Sequence, residues 1–315
     1  MTDVSRRTGP IPIDDIPDPD PIALDLWGCI AVQCTLSAVD CKDDAPGPHR
    51  CMFMVPRQGY LFFHLKTIKE KFARLVKAEH FIWFSAEVSL GNGTKQTVPV
   101  PWQYPTSTVC DILRSMDETT FARSRPIPLT VHFTHDVPEG VPKEIFAGIV
   151  PLKADAREQD TYMLYDHLLK QSVALRYGSS APLAKLREQY PQHSQNIEAG
   201  LHGCDGAAFH RGKMALLFVG DLDGKEAHYP VVFHIDGRAH WQRVPASKRT
   251  LGQMLQHCVA KFRHMTADDW SAAREEEGVT IQGVSPYLNT PTEVLVDVMG
   301  SVDLCLHVVI STKRA

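Results

Sequence analysis

The sequence lacks the short motifs that identify many enzymes. It contains no glycine-rich phosphate loop, no His-Glu-x-x-His zinc motif and no Gly-x-Ser-x-Gly nucleophile elbow. The net charge of −4 provides no overall attraction to nucleic acid or to anionic lipid. Lysine and arginine are scattered, and no basic run alternates with aromatic residues as it does in single-strand binders. These absences argue against common hydrolases, nucleotide-binding proteins and nucleic-acid-binding proteins.

The sequence also lacks a long apolar run. The N-terminus carries no apolar core of a signal peptide, and the longest apolar runs, such as Met214–Val219, are too short to cross a bilayer. The first 22 residues repeat proline and aspartate, which disfavours regular structure, so we predict a disordered tail over residues 1–22. We expect a cytoplasmic protein that reaches membranes only through its partners.

Metal-binding cysteine pairs are missing, since the eight cysteines include no Cys-x-x-Cys. Several lie in apolar strand patterns, where a thiol acts as a small hydrophobic side chain, so we expect reduced thiols, no metal and no other cofactor. His202, Cys204 and His210 lie in a glycine-rich stretch without a second ligand pair, which favours solvated histidines over zinc. Cys258 follows His257 but belongs to an apolar helical stripe, which favours core packing over a thiol nucleophile.

Two stretches of the sequence share the same order of predicted elements, which is strand, strand, helix, strand, short helix and closing strand. The predicted elements of the first are Trp27–Ala38, Cys51–Pro56, Tyr60–Val76, Phe81–Val88, Val98–Tyr104, Thr108–Met116 and Pro128–Phe133. Those of the second are Tyr229–Ile235, His240–Pro245, Thr250–Phe262, Val279–Val284, Thr292–Met299 and Leu304–Ile310. This order is typical of a β-grasp, ubiquitin-like domain. The predicted fold class is therefore α+β, with two ubiquitin-like β-grasp domains flanking a helix-rich domain.

The predicted domain boundaries follow from changes in composition. The first ubiquitin-like domain covers residues 23–135, a proline-rich linker 136–154, the helix-rich domain 155–220 and the second ubiquitin-like domain 226–313. The clearest isolated helix is Asp155–Tyr177, which has one apolar side. That side is formed by Tyr162, Tyr165, Leu168, Leu169 and Val173. The helical pattern weakens over 178–212, where glycines interrupt it.

A series of short motifs then connects the sequence to one family. In the first half these are Trp27-Gly28, Val55-Pro56-Arg57-x-x-Tyr60-Leu61, Ile82-Trp83-Phe84, Trp102-x-Tyr104-Pro105, Asp111 and Leu129-Thr130-Val131-His132-Phe133. In the second half they are Arg243-x-Pro245, Thr250-Leu251-Gly252, Ile281-x-Gly283-Val284-x-Pro286 and Thr290-Pro291. With these motifs in order, the sequence resembles the autophagy protein 5 family, whose members accept the ubiquitin-like autophagy protein 12. That family has two ubiquitin-like domains flanking a helix-rich domain, which agrees with the predicted division.

The resemblance implies that Lys170 is the isopeptide acceptor, because the family's conjugated lysine lies on the first helix of the helical domain before an Ala-Leu pair. Helical periodicity also places Lys170 about 140° from the centre of the apolar side, so its amine should face solvent. The alternative is an ordinary surface lysine paired with Asp166, one helical turn earlier. Lys185 and Lys153 are further acceptor candidates.

The resemblance further implies a non-catalytic scaffold. Conjugated to autophagy protein 12, it would bind the N-terminal helix of autophagy protein 16 in a groove between its domains. The complex would then help the conjugating enzyme of autophagy protein 8 to attach that protein to phosphatidylethanolamine at preautophagosomal membranes. Arg57 and Asp111 are the predicted partner-binding residues of the groove. In the alternative reading, Arg57 only ends a strand and Asp111 is a solvated helix residue.

Two other functions remain open at this stage. One is a double ubiquitin-like adaptor that is never conjugated and only docks partners. The other is a thiol or metal hydrolase that uses Cys204 or Cys258 with nearby histidines.

Overall fold

The computed structural model describes most of both predicted ubiquitin-like units and two helices between them. The described residues are 28–45, 47–77, 81–90, 93–133, 152–153, 158–189, 228–235, 238–245, 249–263, 277–301 and 303–312. Within these ranges no helix has the length and apolar character needed to span a membrane.

The first unit is a mixed sheet with two helices. Its elements are β1 (Cys29–Leu36), β2 (Arg50–Pro56), a 3₁₀ turn (Leu61–His64), α1 (Leu65–Phe72), β3 (Phe81–Ser89), β4 (Lys95–Pro99), α2 (Thr106–Met116) and β5 (Ile127–His132). The strand order is β2-β1-β5-β3-β4. The central pair β1 and β5 is parallel, whereas β1–β2, β3–β5 and β3–β4 are antiparallel. This is the β-grasp arrangement that the sequence predicted.

Local chemistry explains where these elements begin and end. In α1 the buried residues Leu65, Ile68 and Phe72 lie on one side at helical spacing, and this side joins the core of the unit. The predicted helix Tyr60–Val76 is shorter in the structure, because its first turn is a 3₁₀ turn and residues 73–75 form a turn after Phe72. The predicted strand Val98–Tyr104 is wrong after Pro99, since Pro101 has no N–H for a ladder and the chain turns there.

Two helices follow the first unit. They are α3 (Glu158–Tyr177) and α4 (Ala181–Gln189), and they are preceded by the short strand β6 (Leu152–Lys153), which pairs with the start of β3. Gly178 ends α3 in a left-handed conformation, with a φ of 80°. The nine residues of α4 were not predicted as a helix, yet Leu183 and Leu186 are buried in the core of the first unit. Residues 190–227, which include Met214–Val219, lie outside the described residues.

The second unit repeats the topology of the first. Its elements are β7 (His228–Ile235), β8 (Arg238–Pro245), α5 (Leu251–Arg263), β9 (Glu277–Thr280), α6 (Thr292–Met299) and β10 (Leu306–Thr312). The strand order is β8-β7-β10-β9, with β7 and β10 parallel. This matches the order β2-β1-β5-β3 of the first unit.

Two strand boundaries of the second unit differ from the prediction because of backbone conformation. Residues 281–284 form a turn rather than a strand, since Gln282 and Gly283 have φ values of 51° and 81°. Ile281 and Val284 close this turn through two backbone hydrogen bonds of 2.8 and 3.0 Å. Leu304 has a φ of 64°, so the closing strand begins only at Leu306.

The cysteines differ in oxidation state and in burial. Cys29 is disulfide-bonded, which corrects the expectation that all thiols are reduced. Cys258 is buried in the core of the second unit, so its predicted packing role is confirmed. The adjacent His257 is exposed whereas Cys258 is buried, which favours core packing over a thiol nucleophile. The candidate ligands His202, Cys204 and His210 lie outside the described residues.

A substitution at Leu255 tests whether α5 packs on the second sheet. It is 1% exposed and belongs to the apolar core of that unit. We expect Leu255→Ala to lower the free energy of unfolding by about 2–5 kcal/mol, because it leaves a cavity in the core. Gln256 is exposed on the same helix, so Gln256→Ala is the matched control and should change stability little. Equal melting temperatures for the two variants would contradict the packing described here.

Candidate functional site

Helix α3 packs against the first unit through aromatic residues. The ring of Tyr165 lies 5.9 Å from that of Tyr60, and the ring of Tyr162 lies 5.2 Å from that of Phe63. Tyr60 and Tyr165 are both buried. Aromatic pairs at such distances bury large apolar areas, so this side of α3 is firmly attached to the first unit.

A second side of α3 contacts the second unit. The Ser172 hydroxyl lies 3.1 Å from the Cys305 thiol, just before β10. The Arg176 guanidinium lies 5.0 Å from the centre of the Tyr229 ring, a cation–π arrangement with β7. Contacts to both units hold α3 in place, and its remaining surface is free to carry a functional group.

Lys170 lies on that remaining surface. Its side chain is 52% exposed, as the sequence predicts, and its Nζ lies 2.7 Å from Asp166 Oδ2. The other Asp166 oxygen is 2.5 Å from Arg187 Nη2 on α4. Burial acts to raise the pKa of Asp166, but the hydrogen bonds from Lys170 and Arg187 outweigh it and the pKa is lowered. The predicted i,i+4 pair with Asp166 is thus present, and such exposed pairs stabilise a helix by only about 0.3–0.5 kcal/mol.

The two other candidate acceptors are placed differently. Lys185 is exposed on α4, one helix after Lys170. Lys153 lies in β6, which is paired with the start of β3. Lys170 is therefore the candidate whose helix contacts both units.

The structure places Arg57 and Asp111 between the two units. Arg57 follows β2 and donates a hydrogen bond from Nη2 to the carbonyl of Gln282 in the second unit. Asp111 lies on α2, where its Oδ2 accepts a 2.7 Å hydrogen bond from the Gly283 N–H. Its Oδ1 lies 3.3 Å from Arg114 Nη1. Asp111 is only 3% exposed, so the alternative of a solvated helix residue is wrong.

Burial and hydrogen bonding shift the pKa of Asp111 in opposite directions. Burial raises its pKa to about 6, while the Gly283 N–H and the Arg114 and Arg57 guanidiniums oppose this rise. The two charged neighbours and the backbone donor are what allow a carboxylate to remain between two packed units. Both carboxylate oxygens are engaged within the chain, and a role of Asp111 or Arg57 in partner binding stays a prediction.

This contact, which we call the inter-unit junction, consists of Arg57, Gln58, Asp111, Gln282 and Gly283, and no motif in the sequence marks Gln58 or Gln282 as part of it. Gln58 Nε2 donates to Gln282 Oε1, and Gln282 Nε2 donates to the carbonyl of Met299. Gln58 and Gln282 are both buried. Gly283 does occur in one of the family motifs, but the motif does not reveal which residue it contacts.

A buried polar network lies beside the junction of α3 with the second unit. It contains Asp303, Cys305 and His307, the one group of three possible metal ligands among the described residues, with ligand atoms within 4.8 Å of one another. A structural zinc site has four protein ligands, so this group is one short. His307 Nε2 already lies 3.2 Å from Asp303 Oδ2, and His307 Nδ1 lies 3.1 Å from His234 Nε2. We therefore interpret the group as a hydrogen-bonded network.

The surroundings of His234 in this network favour its neutral form. Burial, with smaller contributions from His307 and His240, moves the pKa of His234 well below its usual value. The Tyr104 ring of the first unit lies 4.8 Å from the His234 ring and 5.5 Å from the His307 ring. The network thus forms part of the surface on which the first unit packs.

These features define a class of protein with two β-grasp units joined by helices that carry an exposed lysine. Two family models match the chain: "Autophagy protein ATG5, UblA domain" over residues 26–133 and "Autophagy protein ATG5, UblB domain" over residues 228–310. The chain belongs to the autophagy protein 5 family, which confirms the resemblance of its motifs and its predicted fold class.

One solved structure extends this likeness to the whole fold. The crystal structure of Kluyveromyces marxianus Atg5 is similar with a TM-score of 0.64 and 20% sequence identity, and the alignment covers 91% of this chain and 98% of that chain. A comparison with curated protein sequences gives no match.

A substitution at Gly283 tests the contribution of the inter-unit junction to stability. An added Cβ would lie 2.7 Å from Arg57 Nη2, and the φ of 81° disfavours any side chain. We expect Gly283→Ala to lower the free energy of unfolding by about 1–2 kcal/mol, because alanine disfavours this backbone conformation. Displacement of the Arg57 hydrogen bond should lower it by about 1 kcal/mol more. Gly93 has a φ of 80° in open space, so Gly93→Ala is the matched control for the backbone cost alone. If thermal unfolding shows equal losses for both variants, the junction does not contribute as described.

Proposed function

We propose that this chain is an autophagy scaffold that is conjugated to autophagy protein 12 through Lys170. Membership of the autophagy protein 5 family gives the chain a role in autophagy. In the proposal the conjugate binds autophagy protein 16 and promotes attachment of autophagy protein 8 to phosphatidylethanolamine. The chain itself is non-catalytic, resides in the cytoplasm and is recruited to preautophagosomal membranes as part of the complex.

The observation that supports this function best is the exposed amine of Lys170 on a helix that both units hold. An isopeptide acceptor needs an amine that a thioester-bearing enzyme can approach. It also benefits from a fixed position, because a held nucleophile loses less entropy on reaching the thioester. Lys170 meets both requirements, with an exposed side chain on a helix whose other sides pack against Tyr60 and Cys305.

The charge pattern around Lys170 is compatible with acylation. The amine must lose a proton to attack, and the amide that forms carries no charge, so the ion pair with Asp166 is lost. Asp166 retains Arg187 at 2.5 Å after this change. Asp166 therefore keeps a charged partner after conjugation, and the fold is expected to tolerate the modification.

The inter-unit junction suggests that Asp111 contributes to partner binding indirectly, by positioning the two units. Because the Asp111 oxygens are engaged by Gly283 and Arg114, Asp111 is proposed to fix the angle between the units. A groove shared by the two units then has a defined width for an amphipathic helix of autophagy protein 16. Arg57 is only partly buried, so it is the junction residue best placed to touch such a helix as well.

An unconjugated adaptor is the second candidate function. The Lys170–Asp166 pair favours it, since this pair alone would explain a lysine at this position. An adaptor would dock partners through the same two units, but it would never carry a covalent modifier.

Replacement of Lys170 separates the two functions. Lys170→Arg keeps the charge and the helix propensity, but a guanidinium remains protonated and cannot attack a thioester. We expect the denaturant-resistant conjugate to disappear from cell lysate while the melting temperature of the chain is retained. Lys185→Arg is the matched control and should leave the conjugate intact. A conjugate that persists in Lys170→Arg cells would reject this acceptor, and no conjugate in the wild type would favour the adaptor.

The junction makes a separate prediction for partner binding. Arg57→Glu removes the donor to Gln282 and places a second carboxylate near Asp111, so we expect weaker capture of an autophagy protein 16 helix. Asp111→Ala should weaken capture in the same way. Both variants should still be conjugated at Lys170, and the exposed Arg125→Glu is a control that should bind normally. Unchanged pull-down by both junction variants would remove these residues from the groove.

A further inference from the structure

Two cysteines face each other across the first hairpin. Cys34 of β1 is paired directly with Cys51 of β2 in the antiparallel register. Leu36 N–H donates to the His49 carbonyl two residues further along, which identifies Cys34 and Cys51 as a hydrogen-bonded backbone pair. Such pairs have Cα atoms about 5.5 Å apart, and disulfides typically join Cα atoms about 5.5–6 Å apart. The Cα spacing of this pair is thus compatible with a disulfide, and both thiols are reduced.

The two thiols have unequal environments. Cys34 is fully buried, and its hydrogen bond with Cys51, together with burial, raises its pKa. The same hydrogen bond lowers the pKa of Cys51, and Lys71 of α1 contributes in the same direction while burial opposes. Cys51 is only partly buried and lies on β2, the edge strand of the sheet. Cys51 is therefore the more accessible of the two thiols and the one whose ionisation is favoured, and Cys34 is the buried thiol beside it.

The other described thiols provide a contrast. Cys110 and Cys305 are buried, and burial raises the pKa of both. A structural cysteine in an apolar core is unreactive in this way. Cys34 lies inside the core of the first unit, whereas Cys51 packs against that core, stays partly exposed and lies directly opposite Cys34.

We propose that Cys34 and Cys51 are a redox-active pair that a hydroperoxide oxidises to a disulfide within the hairpin. The Cys51 thiolate attacks the peroxide oxygen, the O–O bond breaks, and an alcohol or water leaves with a proton. Cys51 is then a sulfenic acid. Cys34 sulfur attacks Cys51 sulfur, the S–O bond breaks, and the hydroxyl leaves as water with the proton from Cys34. The two thiols are oxidised by two electrons, and the hydroperoxide is reduced.

Oxidation would also stabilise the hairpin. The disulfide closes the chain between Cys34 and Cys51, which restricts the unfolded state. We expect the oxidised protein to melt at a higher temperature than the reduced protein, and a thiol reductant should reverse the shift.

The test uses the full chain in non-denaturing buffer with hydrogen peroxide, followed by alkylation and peptide mapping. The map separates a Cys34–Cys51 linkage from the disulfide of Cys29. We expect a linked peptide that has lost two hydrogen atoms, or about 2 Da, relative to its reduced form. Cys41 is also partly buried, so Cys41→Ala is the matched control and should form the same linkage.

Two variants assign the roles of the thiols. Cys34→Ala should stop at the Cys51 sulfenic acid, which dimedone traps, and Cys51→Ala should give neither product. If Cys34→Ala does not fold, Cys51→Ala alone still tests the assignment, because Cys34 must then remain unoxidised. The proposal is overturned if both thiols of the wild type stay alkylatable after peroxide treatment. It is also overturned if Cys51 pairs with a different cysteine or if Cys34 reacts in the absence of Cys51.

Discussion

The hydrogen bond from Gly283 N–H to the buried Asp111 carboxylate determines how the two β-grasp units are joined. A formed hydrogen bond to a charged group contributes about 1.5–3 kcal/mol, but a buried carboxylate without donors would cost more than that. An arrangement that moves the Gly283 turn away from α2 would leave Asp111 without this backbone donor. The main effect of this hydrogen bond is therefore to make other orientations of the two units less stable. The hydrogen bonds of Arg57 and Gln58 to Gln282 have the same effect.

The position of helix α3 depends on this arrangement. The helix contacts Tyr60 of the first unit and Cys305 of the second, so it can satisfy both contacts only when the units keep one relative orientation. Lys170 is carried on the surface of α3 that neither contact uses. The junction and the position of Lys170 therefore belong to one arrangement of the two units, although Asp111 and Lys170 lie on different elements of the fold.

Local sequence patterns predicted the elements whose apolar residues recur at a regular spacing. The stripe of α3 and the order of strands and helices along both units belong to this group, because periodicity and turn residues depend on near neighbours. The turn at Gly283 and the late start of β10 escaped prediction, since left-handed residues such as Gln282 and Leu304 are not marked by their type. The short helix α4 has too few residues for a clear period.

The candidate site was harder to predict than the fold. The exposure of Lys170 followed from helical geometry, but the burial of Asp111 depends on Gly283, which is 172 residues away in the sequence. No local pattern encodes such a contact. The family resemblance therefore singled out Arg57 and Asp111, and their contacts with Gln282 and Gly283 became clear only from the structure.

The register of the first hairpin links the junction to the cysteine pair. In this register Cys34 faces Cys51 and Gly28 lies opposite Arg57, whose N–H donates to the Gly28 carbonyl. A slip of one residue would turn every side chain of β2 to the opposite face. It would separate the two thiols and move Arg57 away from Gln282 at the same time. A covalent bond between Cys34 and Cys51 would fix this register, so oxidation of the hairpin would preserve the geometry on which the inter-unit junction depends.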